Sequence, residues 1–410
     1  MESGTGTSSD QRMNAALPAS YESQQQHRPW ADLPADILGV AFGRLALFED
    51  RARLRSICRA WRAAALHLRA PPPLPMLVLS DFSSYYSFRE EATMTDASRS
   101  MPLPKKETAA DAGTVARCVG SFGGWLVGVS LIKGRSFGDH GCFLTNPFSR
   151  GVVRLPPPST SGRTRSVDAS SSRRPCAMSF CKVVLSSSPA DDTSSKCVVA
   201  AISVIKRAAK LAFWRSGMKS WCVCDVACIT EFMDIVFCHG KLYMLGDGEF
   251  GPELFAFEIS EDDSSGLMVS RVEHYAYEFD LPEVDVGTDW RLVEWRGKLI
   301  VATCTVEARV RVFEVDLSSD PARLTEMESL DGDCIFITPC SSRSFRSCDY
   351  DGFGGDLIYL IDGGSNHRPE RFVYSMKDEA MAPFAADIPE DRLRALDGTF
   401  MNPTWLFPHQ

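Results

Sequence analysis

The chain has no apolar run long enough to make a membrane helix. Its longest, Cys197 to Ile205, already contains a serine and falls far short of the roughly 20 residues a bilayer requires. The opening stretch, MESGTGTSSDQRMNAALPAS, lacks both the basic segment and the apolar core of a secretory leader, so a soluble protein of the nucleus or cytoplasm is expected. The HExxH pattern is absent, and the seven histidines are scattered. Gly-Lys occurs twice, but Lys241 and Lys298 are each followed by leucine, so neither belongs to a phosphate-cradling GxxxxGKS/T loop. Paired CxxC knuckles are also missing. The one concentration of soft ligands is Cys222, Cys224, Cys228, Cys238 and His239, whose CxC start places two thiols on one face of a strand as packed groups. No metal, no cofactor and no catalytic residue is expected, and the chain is read as not an enzyme.

What is present is a chain of 410 residues, 44% hydrophobic and 24% charged, long enough for two or three domains with a sizeable core. Fourteen cysteines without a leader read as reduced, largely buried thiols. The formal net charge of −9 argues against nucleic acid as partner, and it is unevenly spread. Residues 245–290 carry thirteen carboxylates against Arg271 alone, a local −12 that leaves the rest near +3. Such a field favours a basic partner surface.

Residues 1–28 are rich in Ser, Gln, Gly and Thr and are expected to be disordered. After Trp30, Ile37, Leu38, Ala41, Phe42 and Leu45 recur on one face of a helix, with Pro34 suited to its first turn and Asp36 to its positive end. Leu54, Ile57, Cys58 and Trp61, at i, i+3, i+4 and i+7, predict a second helix, and Pro71, Pro72 and Pro73 stop the helical region.

Beyond it, short apolar runs bounded by turn residues predict strands at 76–80, 124–131, 181–187, 197–205, 210–214, 241–245, 253–259, 298–304, 310–317, 334–338 and 356–362. A turn glycine precedes four of them, Gly124, Gly240, Gly297 and Gly355, at separations of 116, 57 and 58. The period is near 58, and a copy without glycine is expected at Lys182. Four short strands per unit make a β-propeller; a large β-sandwich is the competing architecture. Residues 88–116 and 155–175 interrupt the pattern and read as surface loops.

Leu33-Pro34-Ala35-Asp36-Ile37-Leu38, then Phe42 and Leu45, then Arg55-Ser56-Ile57-Cys58-Arg59-Ala60-Trp61-Arg62, resembles an F-box over residues 29–70. The remainder, 75–410, is similar to the KIB-type propeller that follows the F-box in many plant proteins, through Gly124-Trp125-Leu126, Asn146-Pro147-Phe148, Lys210 to Trp214, Gly240 to Tyr243, Val312 to Leu317 and Trp405. The fold expected is an α+β multidomain chain, a small all-α F-box module before a large all-β propeller of ~58-residue repeats. The resemblance implies a substrate-receptor subunit of an SCF-type ubiquitin ligase. Leu33, Pro34, Ile37, Leu38, Phe42, Leu45, Leu54, Ile57, Cys58 and Trp61 would face the Skp-type adaptor, and through it cullin, while the propeller recruits a protein client. A propeller hydrolase and an F-box scaffold outside the ligase are the alternatives.

Overall fold

The computed structural model describes residues 30–67, 73–88, 99–101, 114–132, 141–158, 178–189, 197–205, 208–224, 231–248, 251–261, 267–278, 289–305, 309–319, 321–347, 353–362, 370–384, 388–394 and 401–408. The expected disordered head, residues 1–28, lies outside them, as do 159–175 of the second interruption.

Three helices come first: α1 (Ala35–Gly43), α2 (Phe48–Ile57) and α3 (Arg59–His67). Pro34 is the residue before α1 rather than inside its first turn; its carbonyl accepts the first helical bond, from Leu38 N at 3.1 Å. The single second helix expected through Trp61 is two helices. Cys58 breaks it with an extended backbone (φ −155°, ψ 173°), and its sulfur accepts from Trp61 N at 3.4 Å, the third-position bond of a helix cap. A thiol therefore serves where Ser or Asp would be read as a start signal.

The strands then form six sheets. Sheet one holds β1 (Met76–Val78), β2 (Ser84–Ser87) and β3 (Arg99–Ser100); sheet two, β4 (Thr114–Phe122), β5 (Trp125–Ile132), β6 (Gly141–Asn146) and β7 (Gly151–Leu155). Sheet three holds β8 (Ser179–Leu185), β9 (Val198–Ile205), β10 (Ala208–Arg215) and β11 (Cys222–Cys224); sheet four, β12 (Glu231–Cys238), β13 (Lys241–Gly248), β14 (Gly251–Ser260) and β15 (Met268–Tyr275). Sheet five holds β16 (Tyr277–Glu278), β17 (Asp289–Trp295), β18 (Lys298–Cys304), β19 (Val310–Asp316) and β20 (Ala322–Glu326). Sheet six holds β21 (Cys334–Thr338), β22 (Ser341–Phe345), β23 (Leu357–Asp362), β24 (Glu370–Ser375) and β25 (Ala380–Pro383). The last strand, β26 (Thr404–Leu406), returns to sheet one and pairs with β1. β3 and the start of β4 fall inside 88–116, so that stretch is not all loop.

The inner strands touch in order around an axis. Ser121 of β4 donates to Trp405 O of β26 at 2.5 Å, Arg117 of β4 to Phe180 O of β8 at 2.9 Å, and Ser344 of β22 to Glu294 O of β17 at 3.0 Å. β22 lies against β26 and closes the ring. The fold is a six-bladed β-propeller. Each of six apolar clusters fills one interface between neighbouring blades, from Val78 and Phe143 between blades one and two to Phe336 and Trp405 between six and one. A blade is thus buried on both faces, which is why its strands read as continuous apolar runs rather than as an alternation.

The repeated glycine is a hairpin device. In Gly123-Gly124, His239-Gly240 and Arg296-Gly297 both residues have φ between 47° and 80°, the turn that joins antiparallel strands without splaying them and that favours glycine at its second place. The copy expected at Lys182 is different: it falls on β8, the innermost strand, one strand earlier than the others. Blade six also departs. Its β21 is inserted between β22 and β23, antiparallel to the first and parallel to the second. Gly355 consequently sits against Gly332, whose carbonyl oxygen would lie 2.6 Å from an added Cβ.

Candidate functional site

The helical module is built around a very small core. Phe42 of α1, Leu54 of α2 and Ala65 of α3 are buried together, with Leu45 and Trp61 packed at their edge. Arg51, only 1% exposed, donates from Nε to Leu45 O at 2.7 Å. The guanidinium groups of Arg51 and Arg55 lie 5.3 and 5.1 Å from the centre of the Phe42 ring, so cations rather than more aliphatics complete this core. Trp61 donates its indole N–H to Trp30 O at 2.7 Å and ties the start of the module to α3.

The ten expected adaptor-facing residues separate by burial. Leu38, Phe42 and Leu54 are buried in the module; Leu33, Leu45, Cys58 and Trp61 are half-buried; Pro34, Ile37 and Ile57 are exposed. Ile37 is 52% exposed, and one helical turn away on the same face Val40 is 56% exposed. Val40 was not singled out by the sequence, although its i+3 spacing from Ile37 was the available signal. Trp30 and Leu66 are also solvent-exposed.

The module is seated on the propeller. Ala46 and Leu47 pack against the cluster between blades six and one, and Leu74 N donates to Ala46 O at 2.9 Å. The Phe48 and Phe148 rings are 4.1 Å apart, and Ser87 Oγ donates to Glu49 at 2.5 Å. Blades one, two and six therefore carry the module, on the face where the glycine turns emerge: Gly151, beside Phe148, lies under the Trp125 ring next to the Gly123-Gly124 turn.

Near the axis, the inner strands carry polar side chains. Asp234 is fully buried on β12; Oδ1 accepts from Lys182 of β8 and from Ile235 N at 2.8 Å, and Oδ2 accepts from Leu292 N of β17 at 2.8 Å. One carboxylate thereby links blades three, four and five, and each of its oxygens is occupied by a structural bond. Arg291 pairs with Asp289 at 2.7 Å. Thiols are held neutral: burial pushes Cys238 up to about 11, Cys224, beside Cys222, up to about 11, and Cys118 up to about 12. Among the described residues no group of three or more His, Cys, Asp or Glu is placed to hold a metal ion.

The acidic stretch is partly neutralised from outside itself. Lys241 pairs with Glu258 and Glu273, both at 2.9 Å, and Arg215 pairs with Glu261. The Lys241 ammonium and the Tyr275 hydroxyl hold the Glu273 carboxyl below its ordinary range.

A family model described as the KIB1-4 β-propeller matches residues 85–375. A curated protein of Arabidopsis thaliana that carries the provisional name F-box protein is 24% identical over 136 residues, which are 33% of this chain and 35% of that protein. The chain thus aligns with about a third of that relative's length. Among solved structures, oligopeptidase B of Trypanosoma brucei is 7% identical with a TM-score of 0.32, covering 75% of this chain and 39% of that one. Prolyl oligopeptidase B of Galerina marginata is 14% identical with a TM-score of 0.33, covering 89% and 50%. Likenesses at that level say nothing about activity.

Proposed function

The chain belongs to the KIB1-4 β-propeller family, and from that premise we propose that it is a substrate receptor of an SCF-type ubiquitin ligase, its helical module docking on a Skp-type adaptor and its propeller recruiting a protein client. The protein itself performs no chemistry in this role; it holds the client near the ubiquitin-charged enzyme, so proximity supplies the rate advantage. It acts in the nucleus or cytoplasm, where the adaptor and cullin reside.

The observation that carries the reading is the outward face of α1. A module whose core amounts to Phe42, Leu54 and Ala65 leaves Ile37, Val40 and Ile57 more than half exposed. Exposed apolar side chains such as the Ile37 and Val40 pair of α1 are suited to cover by a partner, and the Leu33-Pro34 pair of the F-box-like segment immediately precedes α1. The distant likeness to a protein with an F-box name supports the same assignment.

Co-purification with a Skp-type adaptor tests it. The wild-type chain should retain the adaptor, and Ile37→Asp with Val40→Asp should lose it while the propeller stays folded, since both side chains already face solvent. Retention by the double variant would remove α1 as the docking face. Adaptor captured without cullin from cell extract would favour a scaffold outside the ligase.

A further inference from the structure

Three arginines lead into one exposed hydroxyl at the end of α2. Arg51, Arg53 and Arg55 stand five, three and one positions before Ser56, Ile57 follows it, and no carboxylate lies between Arg51 and Ile57. Among the described residues, Ser56 is the one serine or threonine with an arginine or lysine three positions before it; the exposed Ser149, Ser216 and Ser270 have Asn146, Phe213 and Leu267 there. The structure keeps this run accessible. Ser56 is exposed, and the Arg53 side chain, on the same helical face, is 72% exposed. Arg55 is half-buried and Arg51 is buried, so Arg53 is the cation an approaching protein meets first. α2 ends one residue after Ser56, where the extended backbone of Cys58 breaks it, and the Ser56 hydroxyl holds a last-turn carbonyl, that of Arg53, at 2.6 Å. Presenting Ser56 to a catalytic cleft asks that this helix end fray. Fraying draws on Leu54, one of the three residues in the module's small core, so the core offers little resistance.

We infer that Ser56 is a phosphorylation site for a serine/threonine kinase that reads basic residues, and that the phosphate releases the adaptor from the helical module. Recognition is one of charge, since a kinase cleft lined with carboxylates takes a substrate with cations ahead of the acceptor hydroxyl and rejects an acidic one. The co-reactant is ATP. Ser56 Oγ bonds to the γ-phosphorus, the bond from that phosphorus to the bridging oxygen breaks and ADP leaves, while the hydroxyl proton passes to the kinase's base.

The charge introduced decides the effect. A phosphoserine carries about −1.5 to −2 at neutral pH. At Ser56 it stands beside Ile57, which is 58% exposed, and at the end of α2, where the last carbonyls already carry partial negative charge. Covering Ile57 with a partner then requires stripping water from the phosphate, a cost that outweighs the gain from burying one isoleucine. The exposed Arg53 and Arg59 stand three positions to either side and would hold the phosphate on this surface.

The modification stands apart from the adaptor, whereas its effect rests on the docking role proposed above, so the two are read separately. The full chain is incubated with the catalytic subunit of a cyclic-AMP-dependent protein kinase and Mg-ATP, and the phosphate is located by tandem mass spectrometry. Ser56 should be labelled, and Arg53→Ala should slow that labelling at least about tenfold. Both Ser56→Ala and Arg53→Ala keep the fold, because the side chains they remove face solvent. Capture of a Skp-type adaptor by the treated chain should fall at least about tenfold, whereas treated Ser56→Ala should capture as the untreated wild type does. No phosphate at Ser56, labelling indifferent to Arg53, or undiminished capture by the phosphorylated chain overturns the inference. An untreated chain that captures no adaptor removes the docking role and the switch with it, while the labelling still decides whether Ser56 is a modification site.

Discussion

The helical module and the propeller differ in how far each covers its own apolar surface. The module gathers Phe42, Leu54 and Ala65 inside and leaves Trp30, Ile37, Val40, Ile57 and Leu66 in solvent. The propeller fills six interfaces with clusters and leaves, among the described residues, Met268 and Val272. Scale explains the contrast, since a helical unit of about forty residues cannot enclose its apolar side chains, whereas a closed ring of sheets can. The module leans on the propeller through Phe48 and Leu47, whereas the propeller's own clusters fill it from within.

The sharpest way to break that contrast is at the axis. Asp234→Ala would leave Lys182 buried without its counter-charge and Ile235 N and Leu292 N without an acceptor. A loss of about 3–5 kcal/mol is expected for removing one partner of such a pair, read by chemical denaturation of the whole ring. A loss under about 1 kcal/mol would mean that the ring does not depend on this link.

Phe42→Ala comes next. It removes the centre of the module's core, at a cost of about 3 kcal/mol or somewhat more. Helical signal and adaptor capture should fall while the propeller's denaturation midpoint holds; a parallel fall of both would show one cooperative unit and erase the distinction.

The smallest effect concerns blade four. Glu273 has a carboxyl pKa held down in the folded state, first by its bond to Lys241 and then by Tyr275. A depressed pKa contributes stability that is present above the unfolded carboxylate value, near 4.3, and is lost as pH falls through the lower folded value. Wild type should therefore exceed Glu273→Gln by less than about 1 kcal/mol from pH 5 to 8, with the gap closing below about pH 4. A gap that persists at low pH would assign the effect to shape rather than charge.

The sequence was legible where local pattern and burial agree. All eleven runs expected as strands are strands, because a blade buried on both faces spells an unbroken apolar run. β4, β12 and β17 were not recognised. They carry Arg117 and Asp234, whose partners lie on neighbouring blades, and Arg291, paired with Asp289 on its own strand, and polarity in a short run reads as loop until the axis is known. Within the module, Leu38, Phe42, Leu54 and the flanking Trp61 follow from helical spacing, but spacing alone does not say which of them the module keeps for itself. The break at Cys58 escaped because sulfur is rarely counted among capping groups.

By itself, then, the sequence determined the helical head, the repeated glycine turns and the apolar strands between them, since each depends on residues a few positions apart. Tertiary structure alone decided that the repeats close at six blades through the pairing of β26 with β1 and that β21 slips between β22 and β23. Those outcomes join segments separated by tens to hundreds of residues, where the gain from burying two faces together outweighs what either segment prefers locally.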